Sequence, residues 1–332
     1  MKVVTFGEVM MRLSPPGHAK FSQAGELEID YGGGEANVAI ALAYMGINAC
    51  HVTRFPDNMI GRSVTQYLRQ HWLDTSYVIY GDNRMGMYFL EKGAVHRSSK
   101  VVYERDGSAF SRIQPEMYNW EEILEGADWF HWTGITPAIS QGVADTCLKA
   151  IQVANKLGVT VSGDVHSRQS LWQYGKTRQE VLPEFVSRTD VVIASAYDMH
   201  DIFAIGSETA DFKESAKILQ KKYEKVKAVA DKDREMLSAS HNRIQGKMWN
   251  GSELVTSPSF DVTHIVDRVG TGDAFAAGLI YGLLHHEQDH IAIKYGAAAC
   301  ALKHTVEGDA NMVSEEDVIS LVKGNYDGRI KR

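Results

Sequence analysis

Asp267-Arg268-Val269-Gly270-Thr271-Gly272-Asp273-Ala274-Phe275 brings together a glycine-bearing turn, a carboxylate and the start of an apolar run. The extended run at 260–266 before it and the apolar stretch at 274–284 after it predict a strand, a turn and a buried helix. Such a turn leaves backbone N–H groups unpaired at the positive end of the helix dipole, where phosphate oxygens are well held. Asp273 would repel a phosphate, so it fits better as the base for a hydroxyl that attacks phosphorus. A plain helix-capping aspartate would occupy the same place.

A second constellation lies near the start. Tyr31-Gly32-Gly33-Gly34-Glu35-Ala36-Asn37 leads into the apolar run 38–43, which predicts a helix. The glycines allow a ligand to approach the backbone closely, and Glu35 and Asn37 offer side-chain hydrogen bonds to hydroxyl groups. A tight turn that uses glycine only to relieve strain is the alternative.

The rest of the chain must position these two turns. Apolar runs at 3–6, 50–55, 128–132, 159–163 and 191–194 alternate with helical patterns near 62–71, 143–157 and 178–186, which predicts a parallel sheet with helices on both faces. Ligands of such sheets sit beyond the carboxyl ends of the strands. Asp164 and Arg168 follow one of these strands, and Ser195 and Asp198 follow the next. Residues 77–110 turn β-rich and locally basic, as expected of a cover over a site. After the extended run 225–230, the segment Asp231-Lys232-Asp233-Arg234-Glu235 is dense in charge, and short extended stretches follow at 236–248. Two helix-like runs close the chain, at 292–303 and 315–322.

Composition excludes several classes. The 332 residues can bury a large core; 44% are hydrophobic and 23% charged, as in an ordinary soluble protein. A net charge of -7 without Lys/Arg blocks argues against nucleic acid or an anionic membrane as partner. Cys50, Cys147 and Cys300 are widely spaced, which suits a reducing cytoplasm. The chain enters its first strand at once, with no secretory leader pattern and no run of membrane-spanning length. His286-Glu287-Gln288-Asp289-His290 fits HExxH in letters, but Asp289 and its polar neighbours suggest a break between helices, and no third zinc ligand is identifiable. The dinucleotide fingerprint fails because Phe275 stands where a third glycine is needed, and there is no P-loop.

With Gly33-Gly34-Glu35-Ala36-Asn37 early and Asp267 to Asp273 late, the chain resembles the ribokinase-like (PfkB) family of carbohydrate kinases. Within that family it is most similar to the kinases of 2-keto-3-deoxygluconate. That likeness is carried by Gly7-Glu8-Val9-Met10-Met11-Arg12-Leu13-Ser14-Pro15, by Val101-Val102-Tyr103-Glu104-Arg105 with Ser108-Ala109, and by Gly308-Asp309. The resemblance implies one α/β domain over 1–332: a three-layer fold with a mostly parallel central sheet flanked by helices. A small β-sheet lid would come from insertions at 8–30 and 77–112, and such lids often mediate homo-oligomers.

By the same resemblance the protein phosphorylates a sugar acid with ATP and Mg2+. Asp273 is the base and Gly270, Thr271 and Gly272 form the anion hole. Gly33, Gly34, Glu35, Asn37, Tyr88, Tyr103, Arg105 and Asp309 bind the sugar acid, and Arg168 faces both substrate and phosphate. An arginine such as Arg105 or Arg168 can hold a carboxylate through paired hydrogen bonds.

The nucleotide side departs from the family pattern. Asp-x-Asn-x-Arg becomes Asp164-Val165-His166-Ser167-Arg168, and Asn-x-x-Glu becomes Ser195-Ala196-Tyr197-Asp198. A Thr-Leu-Arg-Glu-like segment is replaced by Ala230-Asp231-Lys232-Asp233-Arg234-Glu235. His166, Ser195, Asp198, Ala230, Asp231 and Arg234 are therefore the expected nucleotide contacts, with Asp198 reaching magnesium indirectly. Asp231 and Asp233 would oppose a triphosphate unless Lys232, Arg234 or a metal compensates. Clustered departures leave a non-catalytic sugar-acid binder, or a kinase for another sugar, as alternatives to the kinase.

Overall fold

The computed structural model describes residues 1–166, 168–207, 210–285 and 288–324. Its strands are β1 (Lys2–Phe6), β2 (Met10–Ser14), β3 (Glu28–Gly32), β4 (Asn48–Phe55), β5 (Val78–Tyr80), β6 (Met87–Glu91) and β7 (Lys100–Glu104), then β8 (Trp129–Thr133), β9 (Thr160–Asp164), β10 (Val191–Ile193), β11 (Ala228–Ser238), β12 (His241–Trp249) and β13 (Leu254–Val262). Among the described residues one sheet runs β13-β12-β11-β10-β9-β8-β1-β4-β5 and a smaller one runs β3-β2-β6-β7. Pairing in the large sheet is parallel from β5 through to β11 and antiparallel at β11-β12-β13.

The parallel strands are apolar on both faces because both faces are covered. Val3, Ala49 and Trp129 pack on the helices Gly34–Tyr44, Thr271–His285 and Asp289–Lys303. Their chain neighbours Val4, Cys50 and Phe130 point the other way, into the core with helices Gln141–Lys156 and Arg178–Val186. The result is three layers. Helices Ala196–Phe203 and Phe212–Lys222, which hydrophobic patterning leaves unassigned, start at side-chain caps from Ser195 and Asp211.

In the small sheet β2 pairs antiparallel with β3 and parallel with β6, and β6 pairs antiparallel with β7. The register aligns Asp30, Arg12, Tyr88 and Tyr103 in one row, and Ile29, Leu13, Phe89 and Val102 in the next. Successive side chains alternate faces, so the first row turns toward the large domain and the second away from it. Ile29 and Val102 are each 61% exposed.

Two expected boundaries change. The segment 77–112 does not begin in the lid: Val78 pairs with Thr53, which makes β5 the edge strand of the large sheet. The charge-dense segment after Ala230 interrupts nothing, since β11 continues to Ser238 through it. Of the HExxH match, His286 and Glu287 lie outside the described residues.

Candidate active site

The two glycine turns, the lid and β11 converge on a cavity of about 360 Å³. Its floor is the turn before helix Thr271–His285. The Asp267 Oδ1 accepts the Val269 N–H at 3.0 Å, and the Thr271 hydroxyl donates to the Arg268 carbonyl at 3.1 Å, which folds the turn tightly. Gly270 has φ +77°, and a Cβ there would lie 1.8 Å from the Asp309 carbonyl oxygen, so glycine is required on both counts. The first N–H groups of the helix have no intrahelical partner and open on the cavity beside Gly270, Thr271 and Gly272.

Asp273, in the helix's first turn, faces the other glycine turn. Asn37 Nδ2 donates to its Oδ2 at 2.7 Å. Burial pushes the Asp273 carboxyl up to about 7; the Asn37 hydrogen bond opposes this, and the charges of Asp164, Asp309 and Glu35 reinforce it. A carboxylate poised there can hold a hydroxyl and take its proton near neutral pH. Gly33 and Gly34 also line the cavity.

Glu35 lines a smaller adjoining pocket, which shares Gly33, Gly34, Tyr103 and Arg168 with this cavity. Its Oε1 accepts from the Thr133 N–H at 3.0 Å, the Thr133 hydroxyl at 2.8 Å and the Thr136 hydroxyl at 2.6 Å, so it ties the helix to the end of β8. Arg105 lines the same smaller pocket, but its guanidinium is engaged within the fold. Its Nε donates to Glu8 Oε2 at 2.8 Å, its Nη2 joins the same oxygen, and Ser108 donates to Glu8 Oε1 at 2.5 Å. A carboxylate as buried as Glu8 demands a cation, and Arg105 supplies it.

Tyr88, Tyr103 and Asp309 do reach the wall. Both Asp309 oxygens are engaged, one by Arg12 Nη1 at 2.8 Å and the other by the Tyr88 hydroxyl. Arg12 also binds Asp267 through Nη2 at 2.6 Å. Arg168 lies over the Tyr103 ring, its guanidinium carbon 4.9 Å from the centroid, and among the described residues it has no carboxylate within ion-pairing distance. Burial lowers the Arg168 pKa from its ordinary value, and the charges of Asp273 and Tyr88 oppose this only in part.

On the nucleotide side the period of a strand decides which charges face the cavity. Lys232 and Arg234 line it, whereas Asp231 and Asp233 turn to the opposite face, where Lys247 pairs with both. Asp231 is therefore no nucleotide contact here, and the expected clash with a triphosphate does not arise. Ala230 is fully buried within the sheet. Arg234 Nη2 donates to the Thr271 hydroxyl at 2.6 Å.

His166 stands on the wall, its N–H bonded to Asp164 Oδ1 at 3.0 Å. Ser195 and Asp198 are absent from the wall. They form a capping box, in which Asp198 Oδ2 accepts the Ser195 N–H at 3.0 Å and hydroxyl at 2.5 Å. Asp198 Oδ2 is thus committed locally, and Asp164 is the wall carboxylate engaged by neither Asn37 nor Arg12. Arg12 and Arg268 sit inside the stretches that carry the resemblance but have no role assigned from sequence, whereas Asp164 is expected only at a strand end and Lys232 only as a counter-charge.

An anion turn, a poised carboxylate and a wall of cations define a site for phosphoryl transfer to a hydroxyl. The description of the pfkB family of carbohydrate kinases matches residues 1–316, and the chain belongs to that family. It is a carbohydrate kinase. It is 32% identical over 328 residues to 2-dehydro-3-deoxygalactonokinase of Haloferax volcanii, covering 98% of each chain. The crystal structure of 2-dehydro-3-deoxygluconokinase from Thermotoga maritima superposes with a TM-score of 0.92 at 41% identity, covering 98% of this chain and 100% of that one. Fructokinase with bound ATP from Xylella fastidiosa shares the fold, with a TM-score of 0.79 at 18% identity over 97% of this chain and 98% of that one.

Proposed function

We propose that the protein transfers the γ-phosphoryl group of ATP to a primary hydroxyl of a sugar acid, 2-keto-3-deoxygluconate (2-dehydro-3-deoxygluconate) being the best-supported acceptor. The observation that carries this reading is Arg168. It is a cation without an acidic partner among the described residues, on the wall shared by Asp273 and the lid tyrosines, and it suits the acceptor carboxylate. Asn37, Gly33 and Gly34 fix the acceptor chain, and Asp273 takes the hydroxyl proton as the new P–O bond forms. The bond from the γ-phosphorus to its bridging oxygen breaks, and ADP leaves with that electron pair. N–H groups at Gly270 to Gly272 hold the transferring oxygens. Magnesium, carried on the donor phosphates, would supply charge neutralisation, and Asp164 would hold it directly or through water.

The Haloferax relative gives a second reading, the 2-keto-3-deoxygalactonate epimer. A coupled assay of ADP release with both acids and with a neutral sugar of similar length tests both. Arg168→Ala is expected to raise KM for the acids by at least about tenfold, with little effect on the neutral sugar. Equal losses on both kinds of acceptor would remove the carboxylate role.

The outward lid row of Ile29, Leu13, Phe89 and Val102 supports a homodimer built face to face on the lid. Three buried free thiols, Cys50, Cys147 and Cys300, support a reducing, cytoplasmic setting. Among the described residues no helix is long and apolar enough to cross a membrane.

A further inference from the structure

We propose that Lys303 is a positioning residue for phosphoryl transfer: its sealed ammonium stands behind the Gly270 turn and supplies a fixed positive charge to the N–H groups that hold the transferring oxygens. This rests on the kinase reading given above. Lys303 ends the helix Asp289–Lys303 and is 0% exposed. It is absent from the cavity wall, so it acts through the turn and touches no substrate. Its Cε lies 3.5 Å from where a Gly270 Cβ would stand, the same point that the Asp309 carbonyl oxygen approaches.

Sealing an ammonium inside a fold is costly unless its three donors and its charge are answered. Among the described residues the one hydrogen bond of Lys303 runs from Nζ to the Val306 carbonyl at 2.9 Å, and no carboxylate lies within 4.0 Å of it. Asp267 and Asp309, whose charges favour the ammonium, are both taken at contact distance by Arg12. Close pairing turns a charge into a short-range dipole, whereas an unpaired charge in a dry interior keeps its field. Here that field falls on the adjacent turn. A lysine that only capped its helix would serve as well with its ammonium in water, and a methionine would fill the space without the cost. What this position adds is the charge itself.

The groups around the ammonium leave it as the cation behind the turn. They are Arg12 on β2 and Asp30 on β3, Asp267 in the turn, Asp309 in the following loop, and His304 at its own helix end. Burial pulls Lys303 below the ordinary lysine value; Asp267, Asp309 and Asp30 oppose this, and Arg12 adds to it. Burial also holds the His304 ring down to about 4, helped by the charges of Arg234, Lys303 and Arg268, so His304 is neutral near pH 7 and does not share the role.

The test is ADP release by the full chain at saturating ATP and sugar acid. Lys303→Met, which fills the space without charge, is expected to lower kcat by at least about tenfold while the KM for the sugar acid stays within about threefold. Lys303→Ala should lose as much, and should regain at least about threefold in ammonium chloride but not in sodium chloride of equal ionic strength. Circular dichroism shows whether each variant is folded, and either folded variant decides the matter.

A Lys303→Met enzyme within about twofold of wild type, no greater recovery of Lys303→Ala in ammonium than in sodium, or a KM for the sugar acid that rises as far as kcat falls would overturn the proposal. Calorimetric titration with inorganic tripolyphosphate needs no acceptor, and its affinity should be at least about threefold weaker in Lys303→Met. A wild type that turned over neither sugar acid would remove the acceptor assignment; unchanged tripolyphosphate affinity in Lys303→Met would then be the result that removes this inference.

Discussion

Asp273→Asn should make the protein more stable and nearly inactive at once. Burial, which disfavours its charge, pushes the carboxyl from the ordinary carboxylate range up to about 7. The unfolded chain releases this proton near pH 4, whereas the folded chain keeps it to about pH 7. Between those values the folded state binds more protons, so stability falls as pH rises, and above about 7 the full cost is present. At about 1.4 kcal/mol per unit the cost is roughly 4 kcal/mol, and roughly half of that once the solvent in the cavity is allowed for.

Asparagine is isosteric and carries no charge to desolvate. Urea unfolding, followed by tryptophan fluorescence, should therefore show the variant more stable by about 2–4 kcal/mol at pH 8, with the gap shrinking by more than half at pH 5. Turnover should fall by about 10²–10⁴, and the wild-type rate should decline below about pH 7 as the base becomes protonated. A stability gap that stays flat from pH 8 to pH 5, or a variant that turns over normally, would refute the argument that a desolvated carboxylate is the base.

Gly270→Ala should lower turnover by at least about 10² and stability by more than about 2 kcal/mol, because it combines left-handed strain with a collision against the Asp309 carbonyl; a fully active variant measured by ADP release would contradict the turn geometry. Arg105→Ala should cost about 3–5 kcal/mol in denaturant unfolding by stranding the buried Glu8, and adding Glu8→Gln should recover part of it. Equal stability of the single and double variants would dismiss the pairing as the reason for the loss. If the proposed lid-to-lid dimer forms, charging the outward row with Ile29→Lys and Val102→Lys should convert it to a monomer in sedimentation velocity, whereas an unchanged sedimentation coefficient would exclude that face as the contact.

The two glycine turns and the alternating strands were legible because each is a local pattern: close backbone approach at a glycine, or apolar periodicity. What escaped was of two kinds. Some was readable by geometry. Glu35 and Asn37 are two residues apart on a helix, about 200° around its axis, so they turn to different partners, Asn37 to Asp273 and Glu35 to Thr133. Asp231 and Lys232 are neighbours on a strand and had to point to opposite faces. Ser195-Ala196-Tyr197-Asp198 has the spacing of a capping box, which explains the pair without a metal.

The rest was not local. That Arg105 meets Glu8 across 97 residues, or that Arg12 meets Asp267 and Asp309 across more than 250, is a fact of folding that no window of sequence contains.

Those long-range pairs explain how a thin four-stranded lid can be placed accurately over a site it does not otherwise belong to. Arg12 stands on β2, in the middle of the lid, and grips Asp267 at the start of the anion turn and Asp309 beneath it. Asp309 also receives the Tyr88 hydroxyl from the neighbouring lid strand, and its carbonyl oxygen packs against Gly270. Buried ion pairs of this kind add little net stability, since desolvation offsets most of their attraction, but their directionality excludes other registers. An apolar contact would let the lid slide. A guanidinium shared by two carboxylates fixes Tyr88 at a set position relative to the Gly270 turn, and Tyr103 follows as its cross-strand partner. The separation between the lid row and the Gly270 turn is thereby set by the same charges that shape the turn, which is why a row of lid residues and a late glycine turn wall one cavity.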